Sequence, residues 1–203
     1  MTENLKQRSS EWHAARENRL TASNFAAAMG INQYKSRAQL WREQLKLAPK
    51  FKGNEATQWG VTNEATAIAL YEGVTGHQVV ETGLHIHRDF DWLGCSPDGL
   101  IGSDGGLEVK CPYYKMQPHP AIPEYYMPQI QGALAITGRA WWDYVSWTPA
   151  QATFFRIYRS EAYLAWAFPL LEEFWSYVLG EKEPQRLRAR PTFSGSLEIE
   201  KLR

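Results

Sequence analysis

Apolar positions recur at three- and four-residue spacing in the first third of the chain, then switch to alternation. Over 11–30 (EWHAARENRLTASNFAAAMG) the pattern predicts a helix, a break and a second helix. Thr21 is placed as the N-cap of that second helix and Gly30 as its end. Residues 36–47 (SRAQLWREQLKL) predict an amphipathic helix capped by Ser36, and 49–54 a basic, glycine-containing loop. Residues 57–72 predict another helix, ended by Gly73 and Gly76. From 78 onward QVVETGLHIH and DWLGC alternate as strands do, and so do 140–147 (AWWDYVSW) and 152–158 (ATFFRIY). A proline-rich loop over 112–122 and a helix from near Pro123 or Pro128 to Ile136 lie between them. Residues 160–180 predict a long helix, kinked or broken near Pro169. Helices on both sides of a run of strands predict an α/β fold, a central mixed β-sheet flanked by helices. No repeat or long linker interrupts it. The expectation is a single domain over 1–203 with a C-terminal tail from about 181.

The stretch SPDGLIGSDGGLEVK, residues 96–110, carries the most informative pattern. Asp98-Gly99 and the run from Gly102 to Gly106 are turn signals around Leu100 and Ile101. They predict a hairpin whose second strand starts near Leu107. On that strand Leu107, Val109 and Cys111 share one face, and Glu108 and Lys110 share the other. Asp98 stands opposite them. Two carboxylates and an ammonium then converge on one polar site. Two carboxylate oxygens from separate strands, with the Val109 backbone carbonyl as a further donor, suit Mg²⁺, which keeps waters and takes phosphate oxygens. Lys110 would stabilise charge on a phosphate or orient a water. A bare E-x-K is more often a strand-edge salt bridge, so other features must add to it.

Three do. Glu64 falls on the helical face of Ile68 and Tyr71, which directs a charge inward, where it needs a partner or a metal. Gln129 sits among Tyr126, Ile130, Ala133 and Leu134 and is placed to bond a nucleophilic water. Arg16 and Arg19 precede a helix start holding Thr21, Ala22 and Ser23, where free N–H groups, arginine and serine suit a terminal phosphate. For these three the plainer readings are an arginine salt bridge, a satisfied core amide and an ordinary capped helix. His85, His87, Cys95 and Cys111 match no standard zinc spacing and read as core or hydrogen-bonded groups.

Composition narrows the class. Lys plus Arg number 22 and Asp plus Glu 22, so the chain has no bulk positive charge with which to coat DNA, and nucleic-acid contact must be a directed site. Two cysteines make no disulfide framework, which points to a reducing cytoplasm. No apolar run has the length of a membrane span.

Together, WHAARENRLTAS (12–23), WGVTNE (59–64), SPDGL with GLEVKCP (96–100 and 106–112) and YMPQIQ (126–131) resemble the phage lambda-type alkaline exonuclease family of the PD-(D/E)XK nuclease superfamily. The likeness runs from about residue 10 to about 150. It implies a Mg²⁺-dependent (or Mn²⁺-dependent) 5′→3′ exonuclease that digests one strand of duplex DNA ends and leaves 3′ tails for recombination by strand annealing. It implies metal ligation by Asp98 and Glu108, a catalytic Lys110, a supporting acid in Glu64, contact of Gln129 with the reacting centre, and a 5′-phosphate pocket at Arg16 and Ser23. It also implies a ring-shaped homotrimer, a single-strand annealing protein as partner, and the cytoplasm of a bacterial host. Trp141, Trp142, Phe154, Phe155, Trp166 and Trp175 are candidates for apolar surface between copies. The alternatives are an endonuclease of the same superfamily and a non-catalytic DNA-end-binding module.

Overall fold

The computed structural model describes residues 2–3, 5, 7–49 and 52–203; Lys50 and Phe51 of the expected basic loop lie outside the described residues. Among the described residues there are ten strands: β1 (Thr2–Glu3), β2 (Leu20–Thr21), β3 (Val79–Val80), β4 (Leu84–Ile86), β5 (Leu93–Cys95), β6 (Gly99–Ile101), β7 (Gly105–Lys110), β8 (Trp141–Trp147), β9 (Ala152–Tyr158) and β10 (Ile199–Lys201). Six helices accompany them: α1 (Ser10–Arg16), α2 (Phe25–Ala28), α3 (Arg37–Gln44), α4 (Glu55–Thr75), α5 (Met127–Thr137) and α6 (Glu161–Leu179). The central mixed sheet has the order β10-β9-β8-β7-β6-β3. Its parallel pair is β7 and β8, joined by a crossover through α5. A second mixed sheet, β1-β4-β5-β2, stands beside it. Its strands are two or three residues long; β4 and β5 fall in the alternating stretches that predicted strands, while β1 and β2, of two residues each, are too short for alternation to announce.

Alternation along β7, β8 and β9 feeds two cores on opposite faces of the central sheet. Leu107, Val109, Val145 and Phe154 pack with Ala67 and Tyr71 of α4. Trp142, Tyr144, Phe155 and Ile157 pack with Ile130 and Leu134 of α5 and Phe174 of α6. Local chemistry sets the helix ends. Ser36 and Gln39 form a capping box on α3, and Asn54 and Thr57 form one on α4. Gly76, at φ 72°, closes α4, while Gly73 lies inside the helix rather than ending it. Pro128 occupies the first turn of α5, where a missing N–H costs no helical bond.

The hairpin of β6 and β7 differs from the pattern of its turn signals. The turn is confined to residues 102–104, and the second strand begins at Gly105, two residues before the expected Leu107. Gly106 is a strand residue because the Trp142 ring of the neighbouring strand lies over it. A Cβ there would stand 2.3 Å from the ring.

Three other expectations change. Residues 11–30 fold as α1, strand β2, a 3-10 turn (Ala22–Asn24) and the short α2. Leu20 and Thr21 are drawn into a parallel ladder with β5, and Thr21 makes no side-chain cap bond. Helix α6 runs unbroken through Pro169, whose side is exposed, because a buried stripe from Tyr163 to Val178 holds the helix to the core. The segment after 181 is anchored: the Phe193 ring lies 5.0 Å from that of Tyr163, and β10 pairs with β9. Of the aromatic residues considered as intersubunit surface, Trp142, Phe154 and Phe155 are inside the cores. Among the described residues no helix is long and apolar enough to cross a membrane.

Candidate active site

The hairpin register pairs Gly99 with Leu107 and so sets Asp98 across from Glu108. Asp98 Oδ2 accepts the Val109 N–H at 2.7 Å, which ties the end of one strand to the middle of the other. Glu108 is only 4% exposed and pairs with Lys110 on the same strand face. Burial and then the neighbouring charge of Glu108, with Glu64 adding, push the Asp98 carboxyl well above the usual carboxylate range, against Lys110 and the Val109 N–H. Burial disfavours the Lys110 ammonium, but Glu108 and Asp98 together outweigh it and hold the lysine charged, above its ordinary pKa.

A cavity of about 200 Å³ opens onto this cluster. Asp98, Glu108 and Lys110 line one end, Gln129 of α5 one wall, and Arg16, Thr21 and Ser23 the other end. The structure thus brings together, around one small volume, residues that four separate segments contribute. Arg16 is wired in place. Its guanidinium lies 4.0 Å from the Trp12 ring centroid, and it donates to Ser96 Oγ at 3.1 Å and Thr21 Oγ1 at 3.3 Å. Burial lowers its pKa to about 10, so it remains cationic at neutral pH. Thr21 Oγ1 and Ser23 Oγ lie 3.4 Å apart.

Arg19 takes no part in this end of the cavity. Its Nε donates to the Asp91 carbonyl at 2.9 Å and its Nη1 to the Ala15 carbonyl, so it braces the turn after α1. The expected helix N-terminus is a 3-10 turn, and this segment brings Arg16, Thr21 and Ser23 to the cavity lining.

Glu64, expected to direct a charge inward where it needs a partner or a metal, has a side chain that is 28% exposed, and Arg8 Nη2 pairs with its Oε2 at 2.7 Å. It lines a neighbouring cavity of about 400 Å³ that shares Gln7, Arg8 and Asp98 with the first. Gln7 Nε2 donates to the Pro97 carbonyl at 2.7 Å and to that of Thr82 at 3.0 Å, which seats this strap beside Asp98.

The sequence reading passed over Trp12 and Ser96. Trp12 Nε1 donates to Ser96 Oγ at 2.9 Å, so the same hydroxyl orients both the indole and Arg16. The spacing of Trp12 and Arg16, four apart on a helix, was the available signal. Gln131, two residues after Gln129, is structural: its amide bonds the Tyr158 carbonyl and the Ser160 N–H. His85 bonds Thr82 Oγ1 at 2.7 Å, consistent with a hydrogen-bonded histidine. Among the described residues no three His, Cys, Asp or Glu side chains are grouped to hold a metal ion. The side-chain donors at the cavity are the carboxylates of Asp98 and Glu108.

The sequence and the fold are similar to those of known proteins. The sequence matches the YqaJ-like viral recombinase domain over residues 11–140. The alkaline exonuclease LHK-Exo of Laribacter hongkongensis has a similar structure, with TM-score 0.72 at 32% identity over 85% of this chain and 94% of that one; it has also been solved with dAMP. A phage-related exonuclease of Haemophilus somnus shares the fold, with TM-score 0.62 at 15% identity over 80% of this chain and 96% of that one. A protein of African swine fever virus is 30% identical over 163 residues, 65% of this chain and 46% of its own length. The chain therefore spans about half the length of the curated relatives it matches. It belongs to the YqaJ-like viral recombinase family, among the phage-type alkaline exonucleases.

Proposed function

We propose that this chain is a divalent-metal-dependent 5′→3′ exonuclease that enters at a 5′-phosphorylated end of duplex DNA and removes nucleotides from one strand, leaving 3′ tails. The observation that carries the reading is the continuity of the cavity from Arg16 to Lys110. An anion-binding end and an acid–lysine end share one small volume, so a terminal phosphate and a scissile phosphate can be engaged together.

The donor set suits a hard cation. Asp98 and Glu108 offer carboxylate oxygens and Val109 a backbone carbonyl, and the Asp98 carboxyl, raised by burial first and then by the Glu108 charge, would regain its charge beside a cation. These residues would hold Mg²⁺ or Mn²⁺. Bound there, the ion would supply Lewis-acid stabilisation of the phosphate and activation of water. The chain's own groups do the rest. Lys110 presents a fixed ammonium to charge that develops on the phosphate. Gln129 orients the attacking water from the α5 wall. Arg16, Thr21 and Ser23 bind the 5′-phosphate and fix which bond is reached. Glu64 supports the site electrostatically from beside Arg8. Assembly as a homotrimeric ring and cooperation with a single-strand annealing protein belong to the same proposal, on the family resemblance.

A 5′-phosphorylated linear duplex and a covalently closed circle, each incubated with Mg²⁺ and then with EDTA, test this. Digestion of the linear duplex alone, abolished by EDTA, is expected. Cutting of the closed circle would mean an endonuclease, and no cutting of either would mean a binding module.

A further inference from the structure

Lys110 pairs with Glu108, one of the two acids proposed to hold the metal. A divalent cation on Glu108 would weaken that ion pair and repel the ammonium, so something else must hold the lysine in place. The Lys110 Nζ lies 4.9 Å from the centroid of the Tyr126 ring, within range of a cation–π contact. Tyr126 ends the 3-10 turn Glu124–Tyr126 directly before α5, the helix that carries Gln129.

That ring is itself fixed. Tyr125 lies 4.4 Å from it between centroids, Tyr144 5.6 Å and His119 5.9 Å. His119 is pinned to β8 and β9. Its N–H donates to Ser146 Oγ at 2.9 Å, its carbonyl accepts from Thr153 Oγ1 at 2.8 Å, and its Nδ1 lies 2.7 Å from the Tyr144 hydroxyl. The aromatic cluster thus connects the central sheet to the ammonium through packed rings.

We propose that Tyr126 is a positioning residue for Lys110: its ring seats the ammonium at the cavity while Glu108 is engaged elsewhere. The inference rests on the exonuclease reading for its consequence in turnover, and on the contact itself for its structural part. An aromatic ring is what matters, not the hydroxyl. Tyr126→Phe should therefore keep the seat and Tyr126→Leu should lose it.

The test has two readouts. In the first, NMR on protein with labelled lysine follows the Lys110 side-chain methylene protons nearest the ammonium, assigned with Lys110→Arg. An upfield ring-current shift in the wild type and Tyr126→Phe, lost in Tyr126→Leu, is expected; its absence in the wild type overturns the proposal whether or not the protein cleaves DNA. In the second, a double-mutant cycle measures turnover on linear duplex with Mg²⁺. Tyr126→Leu should lower kcat about tenfold with KM for DNA little changed, and should cost nothing more in a Lys110→Ala background. Full activity in Tyr126→Leu, or an equal loss with and without Lys110, overturns it. Tyr126→Met, which keeps volume without a π face, is judged by the same criteria should Tyr126→Leu unfold. A wild type that shows the ring-current shift but cuts no DNA counts against the exonuclease reading and leaves the seat standing.

Discussion

Strands β7 and β8 lie side by side, and each carries a buried carboxylate on an opposite face of the sheet. Asp143 of β8 is fully enclosed. Arg156 Nε and Nη2 reach its two oxygens at 2.8 Å each, and the Tyr71 hydroxyl donates to Oδ2 as well. The Trp141 ring covers the guanidinium at 3.8 Å. That acid is satisfied from two elements, β9 and α4, and the result is a clamp between α4 and the sheet. Glu108 of β7 is nearly as buried, yet its surroundings are an ammonium, a second carboxyl driven toward protonation, and an open cavity. Geometry separates the two roles. A buried charge whose partners are complete holds structure together, and one whose compensation is incomplete beside a cavity is available for chemistry.

The sharpest way to break this comparison is to neutralise each acid. Glu108→Gln should lower nuclease turnover by about a thousandfold or more, because it removes a carboxylate proposed to hold the metal. Its melting temperature should stay within about 3 °C of the wild type, since Lys110 loses one partner but keeps Asp98, whose charge is no longer opposed by Glu108. A fluorescence melt and a gel assay on the same preparation check both halves. Retained turnover would place Glu108 with Asp143 among structural acids.

Asp143→Ala should show the reverse. It leaves Arg156 without its bidentate partner and Tyr71 without its acceptor, at a cost of about 3–5 kcal/mol of stability. Urea unfolding reads that loss. Activity per folded molecule should remain within about threefold of the wild type, because Asp143 faces α4 and not the cavity.

Arg16→Ala carries the smallest expected effect. Losing a charge-assisted bond to phosphate, worth about 1.5–3 kcal/mol, should reduce kcat/KM on 5′-phosphorylated ends by about ten- to a hundredfold. On 5′-hydroxyl ends the change should be much less. Paired substrates that differ only at that phosphate measure the ratio. Equal rates on both ends in the wild type would reduce the Arg16 cluster to a brace for the turn after α1.

Much of the active-site hairpin was legible locally. Period-two alternation separated Leu107 and Val109 from Glu108 and Lys110, and the sheet buries the first pair against α4 as that pattern requires. Turn chemistry placed the bend within Gly102–Gly106, of which 102–104 form the turn, and Ser36 located the start of α3, whereas the Asn54 cap that starts α4 at Glu55 was read as part of a loop. Each of these signals acts within a few residues, where backbone sterics and side-chain direction suffice.

What the chain alone determined is therefore the alternation of helix and strand, the convergence of Asp98, Glu108 and Lys110, and the motif order that resembles the exonuclease family. What tertiary structure decided lies in contacts between distant residues. Arg8 engages Glu64 across 56 positions, and Trp12 reaches Ser96 across 84. The tail returns as an edge strand on β9, and Leu20–Thr21 leave a helical pattern to pair with β5. Gly106 is a strand glycine because Trp142, a neighbour only through the pairing of β7 with β8, needs the space over it. None of these leaves a local period. A residue's own neighbours set its backbone preference, but the partner that completes or withholds its charge is chosen only when the sheets and helices pack together.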